Sequence, residues 1–412
     1  MEEDSTTSQK SIEFRFPFLI VRTTRGISAM DRLSRFGIFK VAGWVSLFLV
    51  PILAAFAIFI LLFTVSSYFA SPAIREVARE IGPAGALLIP GLNPFLPLLY
   101  GWIGIFVGIV VHEGAHGVMA RALNIPVKSA GLLLLAIIPV GAFVEIDDKT
   151  LEKARFRNAG RILASGSGSN IAIGFLSLLL MLLVVSSMRP IGVGAPIMQV
   201  FDDLPAAEAG IMPGDMILSI NDVSTTNQDL LGVELSTYSP GDEVKVTVQR
   251  RAETMDFTII LAEHPQDPSL SFLGVGSLPV SVDLVLDQYQ DALSLSPRVV
   301  LYLIFPTGNQ FLVPFSDTMH VFYTSTIGDL YRPLANLFFW IWFINFNLGI
   351  FNALPIFPLD GGQAFRGGLR AAVGSRIGEN PVKWITGAIS LALVLLILSM
   401  FIIPYAGTLL PS

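Results

Sequence analysis

Two histidines stand four residues apart in an apolar run, as His112-Glu113-Gly-Ala-His116. On a helix, positions i and i+4 share one face, so the two imidazoles can bind one metal ion. Glu113 then projects beside that position, where metal-assisted hydrolysis needs a base for a water molecule. The chain has only four histidines, and finding two of them here favours a metal site over a chance match or a pair of packed core residues.

The composition indicates a membrane protein. Of 412 residues, 53% are hydrophobic and 14% are charged, and the mean hydropathy is +0.67, whereas a soluble domain carries about 25% charged residues. The net charge of −6 comes without a basic block, so no nucleic-acid partner is expected. The absence of cysteine leaves His, Asp and Glu as metal ligands and excludes a cysteine nucleophile.

Several segments are apolar and reach the length of about 20 residues that crossing a bilayer requires. They are residues 41–66, 98–123, 162–188, 333–359 and 384–405. Basic residues precede the first of these spans and follow the second and the fourth, and basic loops lie mostly on the cytoplasmic side. The sequence therefore predicts a polytopic α-helical protein of the cell membrane whose N-terminus is cytoplasmic.

A shorter apolar stretch, residues 131–144, cannot span the bilayer and contains Pro139 and Gly141. We expect a re-entrant hairpin packed against protein, because irregular backbone at membrane depth needs internal hydrogen-bond partners. Near the N-terminus, residues 12–21 alternate enough to form a short strand or an interfacial segment.

A third metal ligand has to come from another part of the chain, because catalytic zinc usually has three protein ligands and one open position. Asp360 ends the fourth span at the depth where the topology places His112 and His116. The alternatives for Asp360 are a helix-end cap and an ordinary loop carboxylate. In the third span, Asn170 closes a patch of small residues, and an amide inside a bilayer needs a specific partner.

The composition changes to that of a soluble domain in residues 193–263. Residues 205–221, with a Pro-Gly-Asp turn before a strand that ends in Asn, resemble the signature of bacterial protease PDZ domains, and Ser239-Pro-Gly-Asp242 fits the same module. The resemblance implies a mainly β domain that binds peptide segments by strand addition. A structural spacer is the alternative. The span count places this domain on the extracytoplasmic side.

Three separated motifs resemble those of the site-2 protease family of intramembrane zinc metalloproteases. They are His112-Glu113-Gly-Ala-His116, Gly166-x-x-x-Asn170 and Asn352-Ala-Leu-Pro-Ile-Phe-Pro-Leu-Asp360-Gly-Gly. The resemblance implies one zinc ion per chain held by the two histidines and Asp360, with Glu113 as the base and Asn352 assisting at the substrate carbonyl.

The same resemblance implies a hairpin, here near residues 131–146 and including Gly141, that pairs with unwound substrate, and it makes Asn170 a supporting residue. Many members of the family carry a PDZ insertion between their central and C-terminal core spans. The predicted domain order is a cytoplasmic segment (1–40), the first span (41–66), the first half of the catalytic core (98–188), the PDZ-like domain (193–263), a linker with a membrane-associated segment (264–332), the second half of the core (333–376) and the C-terminal span (384–405).

The predicted function is hydrolysis of peptide bonds in transmembrane protein substrates within the lipid bilayer, in regulated intramembrane proteolysis. Two other classes remain open. One is a catalytically silent membrane scaffold that binds peptides through the PDZ-like domain. The other is a membrane metal transporter, which would need polar residues along several spans. The apolar flanks of the histidine motif exclude a soluble zinc peptidase.

Overall fold

The structure is a computed structural model that describes residues 12–136, 138–147, 150–151, 154–251, 253–293 and 313–406. The chain forms two compact units. One comprises residues 1–177 together with 340–412, and the other comprises residues 178–339.

Helices occur in both units and make up most of the first. In chain order the helices are α1 (Thr24–Ser34), α2 (Gly37–Ala70), α3 (Pro72–Gly85), α4 (Leu98–Ala122), α5 (Phe156–Ser186), α6 (Pro205–Ala209), α7 (Gln228–Leu235), α8 (Val282–Leu293), α9 (Tyr331–Ala353), α10 (Asp360–Ile377) and α11 (Glu379–Ile402). Within the described residues, five of them are long and apolar enough to cross a membrane, namely α2, α4, α5, α9 and α11. Each helix overlaps one of the five predicted spans, so the prediction of a multi-pass membrane protein is confirmed.

The strands fall into a small sheet near the N-terminal part of the first unit and into the middle of the chain. They are β1 (Ile12–Arg15), β2 (Phe18–Arg22), β3 (Val127–Leu135), β4 (Ile138–Ile146), β5 (Met188–Pro190), β6 (Ala195–Val200), β7 (Met216–Ile220), β8 (Val223–Ser224), β9 (Glu243–Arg250), β10 (Glu253–Ile260), β11 (Ala262–His264), β12 (Asp267–Phe272), β13 (Val275–Ser277) and β14 (Tyr323–Ser325).

The apolar stretch around residues 131–144 forms an antiparallel β-hairpin, β3–β4, inside a four-stranded sheet of order β1-β2-β3-β4. The N-terminal strands are therefore not a separate interfacial piece, because β2 pairs with β3 from Phe18 opposite Leu135 to Arg22 opposite Gly131. Gly131 allows this pairing, since a Cβ there would overlap the carbonyl oxygen of Val21. Among the described residues, β4 pairs only with β3, which leaves β4 at an edge of the sheet.

Glycines bring the core helices of the first unit close together. A Cβ on Gly104 or Gly108 of α4 would lie 2.6 Å from the Cδ1 atom of Ile344 or Leu348 on α9. Real Cβ atoms do not approach so closely, so α4 and α9 can pack at this distance only because Gly104 and Gly108 have no side chain. Small residues at such positions let helix backbones approach within a membrane, where packing replaces the hydrophobic effect as the driving force.

The second unit contains a sheet of order β10-β9-β7-β6-β13, with β8 paired to β7. Buried and exposed side chains alternate along β9. Val244, Val246 and Val248 are buried, whereas Glu243 and Lys245 are exposed. Side chains that alternate in this way put one face of a strand against the core.

Two boundaries in the structure differ from the prediction. The extended linker expected after residue 263 contains regular structure, because β13 joins the same sheet as β6 and residues 282–293 form α8. The fourth span ends at Ala353, and Asp360 begins α10 and so does not end that span. Pro355 and Pro358 between the helices prevent continuous helix. The membrane-associated segment predicted within residues 264–332 lies largely outside the described residues, which resume at residue 313.

Candidate metal centre and active site

His112 and His116 lie on one face of α4 and meet the first residue of α10. The Nε2 atoms of the two histidines are 2.8 Å and 3.0 Å from the same carboxylate oxygen, Oδ2 of Asp360. Both imidazoles are buried, with 9% and 8% exposure. The structure thus brings Asp360 into contact with two histidines that precede it by 248 and 244 residues in the sequence.

The donor set fits a cation between these atoms. Nδ1 of His116 lies 2.7 Å from the carbonyl oxygen of Ile162, and because a carbonyl only accepts, Nδ1 carries the hydrogen. In the neutral ring, Nε2 then presents a lone pair toward Asp360. Two acceptors that face each other in a buried place need a positive charge between them, and a carboxylate with two imidazole nitrogens is a ligand set for zinc.

Gly166 of α5 provides the space beside the histidines. A Cβ on this residue would lie 2.5 Å from Nε2 of His116 and 2.6 Å from Nε2 of His112. Only glycine therefore fits against the ring edges that carry the ligand atoms. Ile162, whose carbonyl accepts the hydrogen bond from His116, lies one turn before Gly166 on α5. The same helix therefore orients one imidazole and leaves space beside the Nε2 atoms of both.

Glu113 lies next to the candidate ligands and is held from the hairpin. The ligand atoms of His112, Glu113 and His116 all lie within 4.8 Å of one another. The backbone N–H of Val144 in β4 donates to Oε2 of Glu113 at 3.2 Å. A carboxylate that accepts this bond is oriented toward the edge strand and beside the histidine nitrogens, as a base acting on a water molecule there would have to be.

The two glycines after Asp360 fix where α10 begins. A Cβ on Gly361 would overlap the carbonyl of Ala353, and one on Gly362 would overlap the backbone of Ile356. The first turn of α10 is therefore packed directly on the segment that follows α9. This close packing positions the Asp360 carboxylate opposite α4.

The other predicted site residues lie on α9, α5 and β4. Asn352 is half-buried in the last turn of α9, and no hydrogen bond of its side chain is found within the described residues. Asn170 lies one turn after Gly166 and is fully buried, yet neither its Oδ1 nor its Nδ2 has a hydrogen-bond partner in the described part of the chain. Gly141 lies in β4 opposite Leu133.

Two parts of the site were not predicted from the sequence as functional elements. One is the backbone N–H of Val144, and the other is the carbonyl of Ile162, and backbone groups carry no signal in residue type. The role of Gly166 was partly visible, since it opens the Gly-x-x-x-Asn pattern, but the spacing alone did not place it against the histidines.

Comparison with known proteins identifies the family of this chain. The family model described as peptidase family M50 matches residues 100–397, which is most of the chain and includes every candidate site residue. The chain therefore belongs to peptidase family M50. The resemblance to the site-2 proteases that the three motifs indicated is confirmed, and family membership supports a membrane metalloprotease.

Several curated proteins are similar to this chain. An uncharacterized protein of Methanocaldococcus jannaschii is 25% identical over 346 residues, which covers 84% of this chain and 75% of the relative. Zinc metalloprotease RasP of Shouchella clausii is 28% identical over 205 residues, or 48% of this chain and 47% of RasP. RasP of Oceanobacillus iheyensis is 25% identical over 190 residues, or 42% and 43% of the two chains. The alignments thus span less than half the length of either RasP.

Proposed function

We propose that this chain is an intramembrane zinc metalloprotease of the site-2 type, which hydrolyses peptide bonds in transmembrane segments of other proteins in regulated intramembrane proteolysis. The observation that carries the proposal is the convergence of His112, His116 and Asp360, with Glu113 beside them. The histidines and Glu113 lie on α4, which is long and apolar enough to cross a bilayer. Similarity to the zinc metalloproteases RasP and membership of peptidase family M50 support the same activity.

In this proposal His112, His116 and Asp360 hold one zinc ion per chain. When bound, the ion would act as a Lewis acid and lower the pKa of a water molecule from about 16 to about 7. Glu113 accepts the proton of that water and returns it to the leaving amine. Asn352 donates a hydrogen bond to the oxygen of the substrate carbonyl as negative charge develops there.

The edge strand β4 is the proposed binding place for substrate. A transmembrane helix has to unwind before its carbonyls can be attacked, and the freed backbone groups need partners within the membrane. Because β2 already pairs with β3, the free edge beside Glu113 is that of β4, near Gly141. Strand addition there would compensate the unwound segment and bring a peptide bond to the base.

We place the N-terminus in the cytoplasm and the sheet of residues 193–277 outside, where as a PDZ-like domain it would bind peptide segments and restrict access to substrates whose ectodomain has been trimmed. Support comes from the Pro-Gly-Asp signature and from the distribution of basic residues among the loops. Deletion of this domain is expected to permit cleavage of untrimmed substrates, and unchanged discrimination would contradict the gating role.

The deciding experiment compares the wild-type chain with Glu113→Gln in proteoliposomes that contain a single-span reporter protein, with zinc content measured for both. We expect the variant to keep zinc and to lose cleavage by at least about a hundred-fold, the contribution typical of general acid–base catalysis. Cleavage by Glu113→Gln at the wild-type rate would contradict the proposal. A wild-type chain that holds zinc but cleaves nothing would favour a scaffold.

A further inference from the structure

A cavity lies between α10 and α11. Its volume is about 470 Å³, and its lining includes the side chains of Arg366 and Lys383 together with the hydroxyl-bearing Thr386 and Ser390. Two cations beside one space are suited to an anion with several oxygen atoms, because guanidinium and ammonium groups both donate to it. The hydroxyls of Thr386 and Ser390 already donate to carbonyls of α11.

The two cations are not neutralised by neighbouring acids. In the part of the chain that the structure describes, no carboxylate lies within ion-pair distance of Arg366 or Lys383, whereas the next arginine on α10, Arg370, pairs with Glu379. Arg366 is half-buried. Unpaired positive charge in a partly enclosed place attracts an anion more strongly than the same charge on an open surface.

The position of the cavity along α11 indicates the depth of this anion site. Lys383 lies near the first turns of α11, and the apolar part of this membrane-crossing helix follows it. Trp384, directly after Lys383, is 79% exposed. Tryptophan and lysine at the end of an apolar span are typical of the boundary between hydrocarbon and water, where lipid headgroups lie.

An apolar surface continues from the cavity toward the membrane interior. Gly387, Leu391, Val394 and Leu398 follow Lys383 at spacings of three and four residues, so they share its face of α11. All four are exposed in the structure. A molecule with a charged head at Lys383 and a hydrocarbon tail would lie along this face, which a soluble anion would leave uncovered.

We propose that this cavity binds the phosphate-bearing headgroup of an anionic phospholipid, with its acyl chains along the exposed face of α11. The cavity also adjoins the segment before Asp360. Ser390 accepts a hydrogen bond from the backbone N–H of Phe357 at 3.0 Å and donates to the carbonyl of Thr386 at 2.8 Å, and both Phe357 and Gly362 line the cavity. A bound headgroup therefore braces the connection between α9 and α10.

The test uses the full-length chain in neutral detergent, titrated with phosphatidylglycerol or with phosphatidylcholine, and follows the thermal unfolding midpoint as the measure of binding. Variants Arg366→Gln and Lys383→Gln each remove one charge from the cavity. Arg376→Gln is the matched control. Arg376 lies in the last turn of α10, the helix that carries Arg366, but it does not line the cavity. Inorganic phosphate at equal concentration tests for a soluble anion.

We expect phosphatidylglycerol, and not phosphatidylcholine, to raise the unfolding midpoint of the wild-type chain and of Arg376→Gln. Each cavity variant should need about five-fold more phosphatidylglycerol for the same shift, the effect of about one basic residue at an anionic membrane surface. Equal responses in all four proteins would overturn the site, and an equal shift with inorganic phosphate would overturn the assignment to a lipid. Because the readout is binding, either result is independent of proteolytic activity.

Discussion

Glu113 accepts a hydrogen bond from the backbone N–H of Val144 at 3.2 Å, so the side chain proposed as the base is tied to the edge strand proposed to receive substrate. The donor is a main-chain group, and its position depends on the register of β4 with β3. Any shift of that register would move the N–H away from Glu113. The hairpin therefore positions the carboxylate as well as offering an edge for strand addition.

Val144→Pro removes this donor and is expected to slow reporter cleavage by about ten-fold or more, since a hydrogen bond to a charged group contributes about 1.5–3 kcal/mol. Val144→Ala is the control, because it shortens the side chain and keeps the N–H. Cleavage rates of the two variants, measured in the same proteoliposomes with zinc content, separate the roles. Equal rates for both would show that the hydrogen bond does not position Glu113.

Gly166→Ala is expected to lower metal affinity by about ten-fold or more, the range seen when groups that orient metal ligands are changed. The new methyl group would lie 2.5 Å from Nε2 of His116 and would displace the imidazole. Gly114→Ala is the matched control, because a Cβ at that position, inside the histidine motif itself, meets no atom within 4 Å. Zinc content after dialysis is measured for both variants. If Gly166→Ala keeps as much zinc as the wild-type chain, Gly166 is not needed for space beside the histidines.

Asn170→Leu is expected to raise stability by about 1 kcal/mol and to lower the rate of cleavage. The amide is fully buried and without a partner in the described residues, and a buried polar group left unsatisfied costs about 1–3 kcal/mol. Asn347→Leu serves for comparison, because that amide donates to the carbonyl of Phe343 at 2.8 Å and its loss should bring no gain. A thermal midpoint that falls in Asn170→Leu would show that the amide is satisfied in the membrane.

The stability that Asp147 contributes is expected to depend on pH in the acid range. Hydrogen bonds from Thr150 and the ammonium group of Lys128, 2.9 Å away, hold the pKa of this carboxyl well below its ordinary value of 3.8. A carboxyl with a lowered pKa in the folded state stabilises fully above its unfolded pKa and loses that contribution as the pH falls below it. The difference in unfolding midpoint between wild type and Asp147→Asn should therefore stay constant from pH 7 to about 4.5 and shrink below 3.8. A difference that vanishes already at pH 5 would contradict this account.

The sequence predicted the parts of the fold that depend on local composition. The five spans follow from uninterrupted apolar runs, and the pairing of His112 with His116 follows from helical spacing. Asp360 was reached through topological depth and resemblance, although its place at the start of α10 was not, since the two prolines before it can end a helix at several positions. The strands β11 to β13 were missed because they are short and polar.

Contacts between distant segments could not be predicted in the same way. The hydrogen bond from Val144 and the proximity of Gly166 to the imidazoles are set by how helices and strands meet, and neither leaves a periodic pattern in the chain. The pairing of β2 with β3 could not be predicted either, because the sequence of one short apolar strand does not show which other strand it will pair with.

The pairing of β2 with β3 also imposes an order of assembly. Arg22 donates to Ser129 at 3.1 Å, 107 residues further along the chain, and α2 and α4 lie between them. During synthesis the first two strands emerge long before their partner, and contacts of such large sequence separation form late because loop closure has to come first. The sheet beside Glu113 can therefore be completed only after α2 and α4 have been synthesised, and the backbone donor to Glu113 reaches its final position after both helices.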